Sequence, residues 1–212
     1  MRTENLIINF LGDSITQGVG VSGEDKIYHA LLKEELALKE ARNYGVSGTR
    51  IARQDGGNEK HMEDFCRRAE KMEDADAVVV FGGTNDFGHG TAPMGEFTDR
   101  DNYTYYGALH SLMQYLIKKY CGKPVVFMTP LHRQFEEGES PDGTKRTLYD
   151  YVCAMKEVAR YYAIPVLDLY STSMIQPQED FIREAFCPDG LHPNDAGHRL
   201  IANRLKGFLQ TL

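Results

Sequence analysis

The chain has 212 residues, is 42% hydrophobic and 26% charged, and carries a formal net charge of −7 from 24 basic and 31 acidic side chains. That length favours a single domain over residues 1–212, with a core large enough to need no covalent staples, and the composition excludes disordered and fibrous chains. The acidic balance argues against a nucleic-acid partner, which would call for a basic face towards the phosphates.

In chain order, short apolar runs alternate with helical patterns. The runs are Leu6–Leu11, a weak one at Arg42–Val46, then Ala77–Phe81, Val125–Thr129 and Ile164–Leu169. Three are nearly continuous in Val, Ile, Leu and Phe, the mark of strands buried on both faces of a parallel sheet. Weak helical spacing runs through Ile27–Leu38 and Met62–Met72. Stronger stripes join Leu109, Leu112, Met113, Leu116, Ile117 and Tyr120, then Leu148, Val152, Met155, Val158, Ala159 and Tyr162, and finally Ala196, Leu200, Ile201, Leu205, Phe208 and Leu209. Five strands alternating with five helices predict an α/β/α sandwich around a flavodoxin-like five-stranded parallel sheet of order 2-1-3-4-5. Two long polar connections, Phe87–Asn102 and Leu131–Arg146, follow predicted strands and so belong at the carboxyl edge of the sheet, where such sheets bind ligands.

Four scattered cysteines with no C-x-x-C pair fit free thiols in a reducing compartment. The first residues, with one Arg and an apolar run broken by Asn9, lack the pattern of a secretory signal, and no run approaches the length of a membrane span. The expectation is a cytoplasmic protein with no membrane partner. Oligomeric state is not legible.

Four segments carry chemistry. The first strand ends in Gly12-Asp13-Ser14-Ile15, which presents a hydroxyl at the sheet edge; the same residues equally suit a turn or a helix cap. Before the last helix stands Asp189-Gly190-Leu191-His192-Pro193-Asn194. There Asp189 can hydrogen-bond one nitrogen of His192 and leave the other free to take a proton, or Pro193 and Asn194 simply begin the helix. Gly48, after the second strand, offers an unobstructed backbone N–H, and Asn85, after the third, a side-chain amide. Both are donors for an oxyanion, and both are ordinary turn residues taken singly. In the 2-1-3-4-5 order, Ser14, Gly48 and Asn85 converge at one crevice, and the segment from Tyr170 to Phe186 is long enough to bring Asp189 and His192 over Ser14.

With these blocks in place the sequence resembles the SGNH (GDSL-type) hydrolases, whose conserved blocks centre on Ser, Gly, Asn and His in that order. Here they stand at Gly12-Asp13-Ser14-Ile15, with Ile in place of the usual Leu, at Gly48, at Gly83-Thr84-Asn85-Asp86 and at Asp189-Gly190-Leu191-His192. The resemblance implies a Ser14–His192–Asp189 esterase that needs no metal or other cofactor. It also implies oxyanion donors from the Ser14 and Gly48 amides and the Asn85 side chain. Substrate class does not carry over. Polar and aromatic residues on the long connections (His89, Tyr103, Tyr105, Tyr106, His132, Arg133) favour short acyl esters, acetyl above all, on a carbohydrate or another small polar molecule. The rivals are a thioesterase or lysophospholipase on the same triad, and a flavodoxin-like binding module. Asp13, His89, His132 and Arg133 are the candidate substrate contacts. His89 and His132 also rival His192 as base, although neither has a carboxylate in so compact a turn.

Two motifs are set aside. Gly18-Val19-Gly20-Val21-Ser22-Gly23 matches a dinucleotide fingerprint, but Gly18 lies too far from the strand, and the acidic partner, Glu40, is expected at a helix end. The reading is a flexible loop beside Ser14. His198 lies in the last helix without metal-ligand spacing, and Cys187 is taken as a quiet thiol.

Overall fold

The computed structural model describes residues 1–53, 63–139 and 143–212. Its main sheet comprises β1 (Ile7–Gly12), β2 (Glu40–Gly45), β3 (Ala77–Phe81), β4 (Val125–Met128) and, after a small hairpin of β5 (Glu137–Glu139) and β6 (Lys145–Thr147), β7 (Val166–Leu167). The strand order is β2-β1-β3-β4-β7 with every pair parallel, which is the expected order once the hairpin is left out. The helices are α1 (Ser14–Gln17), α2 (Tyr28–Glu35), α3 (Phe65–Glu70), α4 (Thr84–His89), α5 (Tyr105–Lys119), α6 (Leu148–Tyr161), α7 (Leu169–Thr172), α8 (Asp180–Phe186) and α9 (Asp195–Thr211).

Strand periodicity sorts the core into two layers. Ile8 and Phe10 of β1, Val79 and Phe81 of β3 and Met128 of β4 pack with Leu32 of α2 and Ile201 and Leu205 of α9. Leu11, Val78, Val80 and Phe127 face the other way, towards Phe65 of α3, Leu109 and Met113 of α5 and Met155 of α6. The sheet is therefore covered on both sides. Asn9, which breaks the first apolar run, is fully buried and donates to the Glu73 carbonyl (2.7 Å) and the Tyr120 hydroxyl (2.9 Å), so it anchors β1 to the segments under α5.

Several expectations need correction. The weak second strand is an edge strand with half-exposed residues, which is why its apolar pattern is faint; it begins at Glu40, so that residue opens a strand and does not close a helix. The last strand shrinks to Val166–Leu167 because Pro165 has no N–H to donate and Asp168 caps α7 through the Ser171 amide. Of the two long connections, Leu131–Arg146 carries the hairpin strands, whereas Phe87–Asn102 takes in only the end of α4 and is irregular from Gly90 on. The Met62 end of the expected second helix, Met62–Met72, lies outside the described residues. Among the described residues, no helix is long and apolar enough to cross a membrane.

Candidate active site

The site grows from the carboxyl end of β1. The chain must turn from strand to helix at once, and Gly12 permits it: a Cβ there would lie 1.9 Å from Thr16 Oγ1 and 2.9 Å from the Phe81 carbonyl. Asp13 caps α1 by accepting from the Ile15 amide (3.0 Å), which leaves Ser14 as the first residue of that short helix, 3% exposed. Asp13 is itself buried, and burial pushes its carboxyl up to about 6 against the pull of the Ile15 amide and of the nearby His192 and Arg68. It is a cap beneath the site and has no free face to offer a substrate.

His192 reaches Ser14 from the far end of the sequence. Its Nε2 lies 3.0 Å from Ser14 Oγ, and its Nδ1 lies 2.6 Å from Asp189 Oδ2. A carboxylate only accepts, so the ring proton sits on Nδ1 and Nε2 is left to accept from the Ser14 hydroxyl. Asp189 Oδ1 also takes the amides of Leu191 (2.9 Å) and His192 (2.6 Å). Partial burial works against the Asp189 charge, but these hydrogen bonds outweigh it and hold the carboxyl below its ordinary value. It stays ionised at neutral pH.

The turn is held from three sides. Gly20 (φ +98°) packs against it so closely that a Cβ would lie 2.6 Å from the Pro193 carbonyl and 3.2 Å from His192 Cβ. Ser22 is bound to Asp195, at the start of α9, through both its amide (2.8 Å) and its hydroxyl (2.6 Å). Gln134 donates its amide to the Gly190 carbonyl (2.8 Å). The Gly18–Gly23 segment beside Ser14 thus packs on and is bonded to the histidine turn. Its glycines allow that close packing: a Cβ on Gly18 would lie 2.5 Å from the Ile27 side chain.

The second wall is the segment after β2. Val46 donates its amide to the Gly12 carbonyl (3.1 Å) and Ser47 to Gln17 Oε1 (2.6 Å), which lays Gly48 (φ +76°) beside α1. Arg68, buried on α3, binds three parts of this wall at once: the Gly12 carbonyl (2.9 Å), the Tyr44 carbonyl and Thr49 Oγ1 (2.6 Å). Asp86 accepts from the Ile51 (3.0 Å) and Ala52 (2.9 Å) amides, and burial raises its carboxyl to about 6. Asn85 Nδ2 donates to the Thr49 carbonyl (3.0 Å) while its Oδ1 faces His89 Nε2 (3.1 Å). Asn85 is therefore tied to the residue after Gly48, and the same segment is tied through the Val46 amide to the Gly12 carbonyl, two residues before Ser14.

The remaining candidates sit around it. His89 lies between Asn85 and Arg50, whose Nε is 3.1 Å from His89 Nδ1. His132 does have a carboxylate partner, contrary to expectation: Nδ1 is 2.7 Å from Glu136, four residues on, and its ring stacks on Tyr170 with centroids 3.8 Å apart. Arg133 donates to the Thr84 carbonyl (3.1 Å) and lies over the Phe87 ring, so it links the Leu131–Glu136 segment to α4. Tyr105 is a core residue, and Tyr106 is bonded to Glu157, so neither belongs to the wall the sequence suggested. His198 is buried and accepts from the Tyr28 amide (3.2 Å); burial pushes its pKa down to about 4. Burial likewise raises the Cys187 thiol to about 12, a quiet thiol. Among the described residues, no cluster of His, Cys, Asp or Glu is arranged to hold a metal.

Sequence reasoning missed Arg68, Arg50, Glu136 and the Ser22–Asp195 latch. Only Arg68 left a trace: it stands on the apolar stripe of Phe65, Ala69 and Met72, where a solvated arginine would be out of place.

The family model for the GDSL-like lipase/acylhydrolase family matches residues 10–200. Among solved structures, one is 32% identical over 100% of this chain and 99% of its own, with a TM-score of 0.88. Another, from Lactobacillus plantarum, is 30% identical over 99% and 98%, with a TM-score of 0.84. A two-domain esterase active on acetylated mannans shares the fold at 22% identity and a TM-score of 0.65, over 98% of this chain and 50% of its own. No curated protein matches the sequence. With the blocks, the sheet order and the family match in agreement, this chain belongs to the GDSL-like lipase/acylhydrolase family and is an ester hydrolase.

Proposed function

We propose that the protein is a serine esterase that removes short acyl groups, acetyl first among them, from carbohydrates or other small polar molecules. One observation carries the reading: His192 bridges the Ser14 hydroxyl and the Asp189 carboxylate at 3.0 and 2.6 Å in the tautomer a general base needs. Ser14 Oγ attacks the ester carbonyl while its proton passes to His192 Nε2. The tetrahedral intermediate collapses as His192 returns that proton to the leaving alcohol, which yields the acyl-enzyme. Water, deprotonated by the same nitrogen, then attacks the acyl carbon, and His192 returns the proton to Ser14 Oγ as the acyl–oxygen bond breaks and the acid leaves. Asp189 orients His192 and balances the imidazolium. The Ser14 and Gly48 amides and the second hydrogen of Asn85 Nδ2 receive the oxyanion.

The substrate reading rests on the polar and aromatic character of the segments next to the histidine turn. There His132, Tyr170 and Tyr149 form a tilted ring stack beside Glu136 and Arg133, not a continuous apolar slot for a fatty chain. All four cysteines are free thiols, which suits a reducing, cytoplasmic setting. Hydrolysis of p-nitrophenyl esters tests both parts. A folded Ser14→Ala protein is expected to lose turnover, and the wild-type rate is expected to be highest for acetyl. Retained turnover in Ser14→Ala overturns the mechanism. A steady rise from acetyl to octanoyl overturns the substrate class in favour of a lysophospholipase or thioesterase.

A further inference from the structure

Asn85 poses a problem that its position alone does not solve. An amide side chain has a donor end and an acceptor end of nearly identical shape, and only the donor end helps an oxyanion. Turned over by 180°, Asn85 would present its carbonyl oxygen to a developing negative charge. Something must fix the choice.

Two neighbours face the amide. The Thr49 carbonyl, 3.0 Å from Nδ2, is an obligate acceptor and demands the NH₂ group. On the other side stands His89 Nε2, 3.1 Å from Oδ1. A histidine nitrogen accepts or donates according to its tautomer, so by itself His89 would tolerate either orientation of the amide. Arg50 removes that freedom. Its Nε lies 3.1 Å from His89 Nδ1, and its Nη2 turns to the same nitrogen. A guanidinium has five donors and no acceptor. His89 Nδ1 must therefore accept, the ring proton of a neutral His89 must sit on Nε2, and Nε2 must donate to Asn85 Oδ1.

We propose that Arg50 and His89 are positioning residues: an always-charged donor fixes the His89 tautomer, and that tautomer, acting with the Thr49 carbonyl, locks the Asn85 amide with its free N–H towards the oxyanion. The relay rests on the reading of Asn85 as an oxyanion donor. Its geometry follows from the short helix α4, where residues 85 and 89 share a face four positions apart, and from Arg50 at the end of the Gly48 wall. Both ends of the amide are then held, so no reorganisation is needed when charge develops. The hydrogen bonds also polarise in one direction, from guanidinium to imidazole to amide, which strengthens the last donor. His89, expected from the sequence to touch substrate, acts through Asn85.

Three substitutions at the exposed His89 separate polarity from bulk. His89→Gln keeps the relay, since its Oε1 accepts from Arg50 and its Nε2 donates to Asn85. It is expected to retain kcat within about threefold. His89→Glu keeps an ion pair with Arg50 but turns an acceptor towards Asn85 Oδ1, which favours the flipped amide. Its kcat is expected to fall about a hundredfold, close to the loss of an oxyanion donor, with KM and Tm little changed. His89→Ala should fall between them, at about tenfold. Equal kcat in the Gln and Glu variants, or losses confined to KM, overturns the relay. A ¹⁵N spectrum of the wild type supplies a readout that no folding defect can confuse: His89 is expected as the Nε2–H tautomer, shifting towards a mixture in Arg50→Ala, whereas an Nδ1–H wild type overturns the proposal. Asn85→Ala distinguishes the two levels. If it keeps full turnover, the oxyanion reading of Asn85 fails; if it loses turnover while all three His89 variants behave as wild type, only the relay fails.

Discussion

The two halves of the site are built differently. The half around Ser14 lies in the core: Ser14, Asp13, Asn85, Asp86 and Arg68 are all buried, and the last four are each bonded to backbone that belongs to a strand end or to the segment after it. The base half is a surface turn. The Asp189 side chain is 55% exposed and that of His192 18%, and the turn is held by one packed glycine, one latch and one amide contact. The proposed mechanism asks for this division. The oxyanion donors must not move as charge develops, whereas the histidine has to serve two proton acceptors in succession and remain open to water. The rigid half is therefore coupled to stability, and the exposed half is largely independent of it.

That contrast predicts which property each substitution should damage. The largest effect is expected in the exposed half: His192→Ala should lower turnover by roughly 10⁴-fold while shifting stability by less than about 1 kcal/mol, read by ester hydrolysis and thermal melting. His132→Ala, which breaks only the pair with Glu136, should not come near that loss. In the buried half, Arg68→Met should cost about 3 kcal/mol, because the Tyr44 carbonyl and the Thr49 hydroxyl lose the guanidinium inside the protein and the Gly12 carbonyl keeps only the Val46 amide. A denaturant melt checks this, and a loss below about 1 kcal/mol would mean that the wall stands without Arg68.

Asp13→Asn should show the same coupling as a pH dependence. The carboxyl titrates near 6 in the folded protein against an ordinary 3.8, so between those values the fold keeps a proton that the unfolded chain has lost. Its contribution therefore favours folding at low pH and fades as pH rises from about 4 to about 6. Above that range the buried charge costs on the order of 3 kcal/mol, at about 1.4 kcal/mol per pKa unit. Asn caps a helix as well as Asp does. The Tm of the variant should accordingly gain on the wild type across this interval, and a constant difference would refute the assignment. The smallest effect belongs to the latch: Ser22→Ala should reduce kcat about threefold, with stability changed by less than about 1 kcal/mol, as expected for one exposed charge-assisted hydrogen bond.

The sheet was legible because its inner strands are apolar on both faces. Val78, Val79 and Val80 leave no other reading. The edges were harder: β2 has few apolar residues to show, and β7 is shortened by Pro165. At the site, the residues that stand in contiguous blocks, such as Asp189 to His192, were found because their contacts are local. Those missed act across long separations in sequence. Arg68 meets Gly12 from 56 residues away, and Ser22 meets Asp195 from 173. No periodicity or spacing encodes such a contact. His132 was misjudged for a smaller reason: Glu136 lies only four residues on, but the chain folds back there without a turn signature.

Every step of the proposed mechanism depends on Ser14 Oγ as the nucleophile that accepts and carries the acyl group. Rapid quenching of the enzyme during turnover of p-nitrophenyl acetate, followed by peptide mass spectrometry, tests it most directly. An added acetyl mass is expected on the peptide containing Ser14, depleted in His192→Ala and absent in Ser14→Ala. An acetyl adduct on another residue in the turnover-competent enzyme, or undiminished turnover by a folded Ser14→Ala protein, would contradict it.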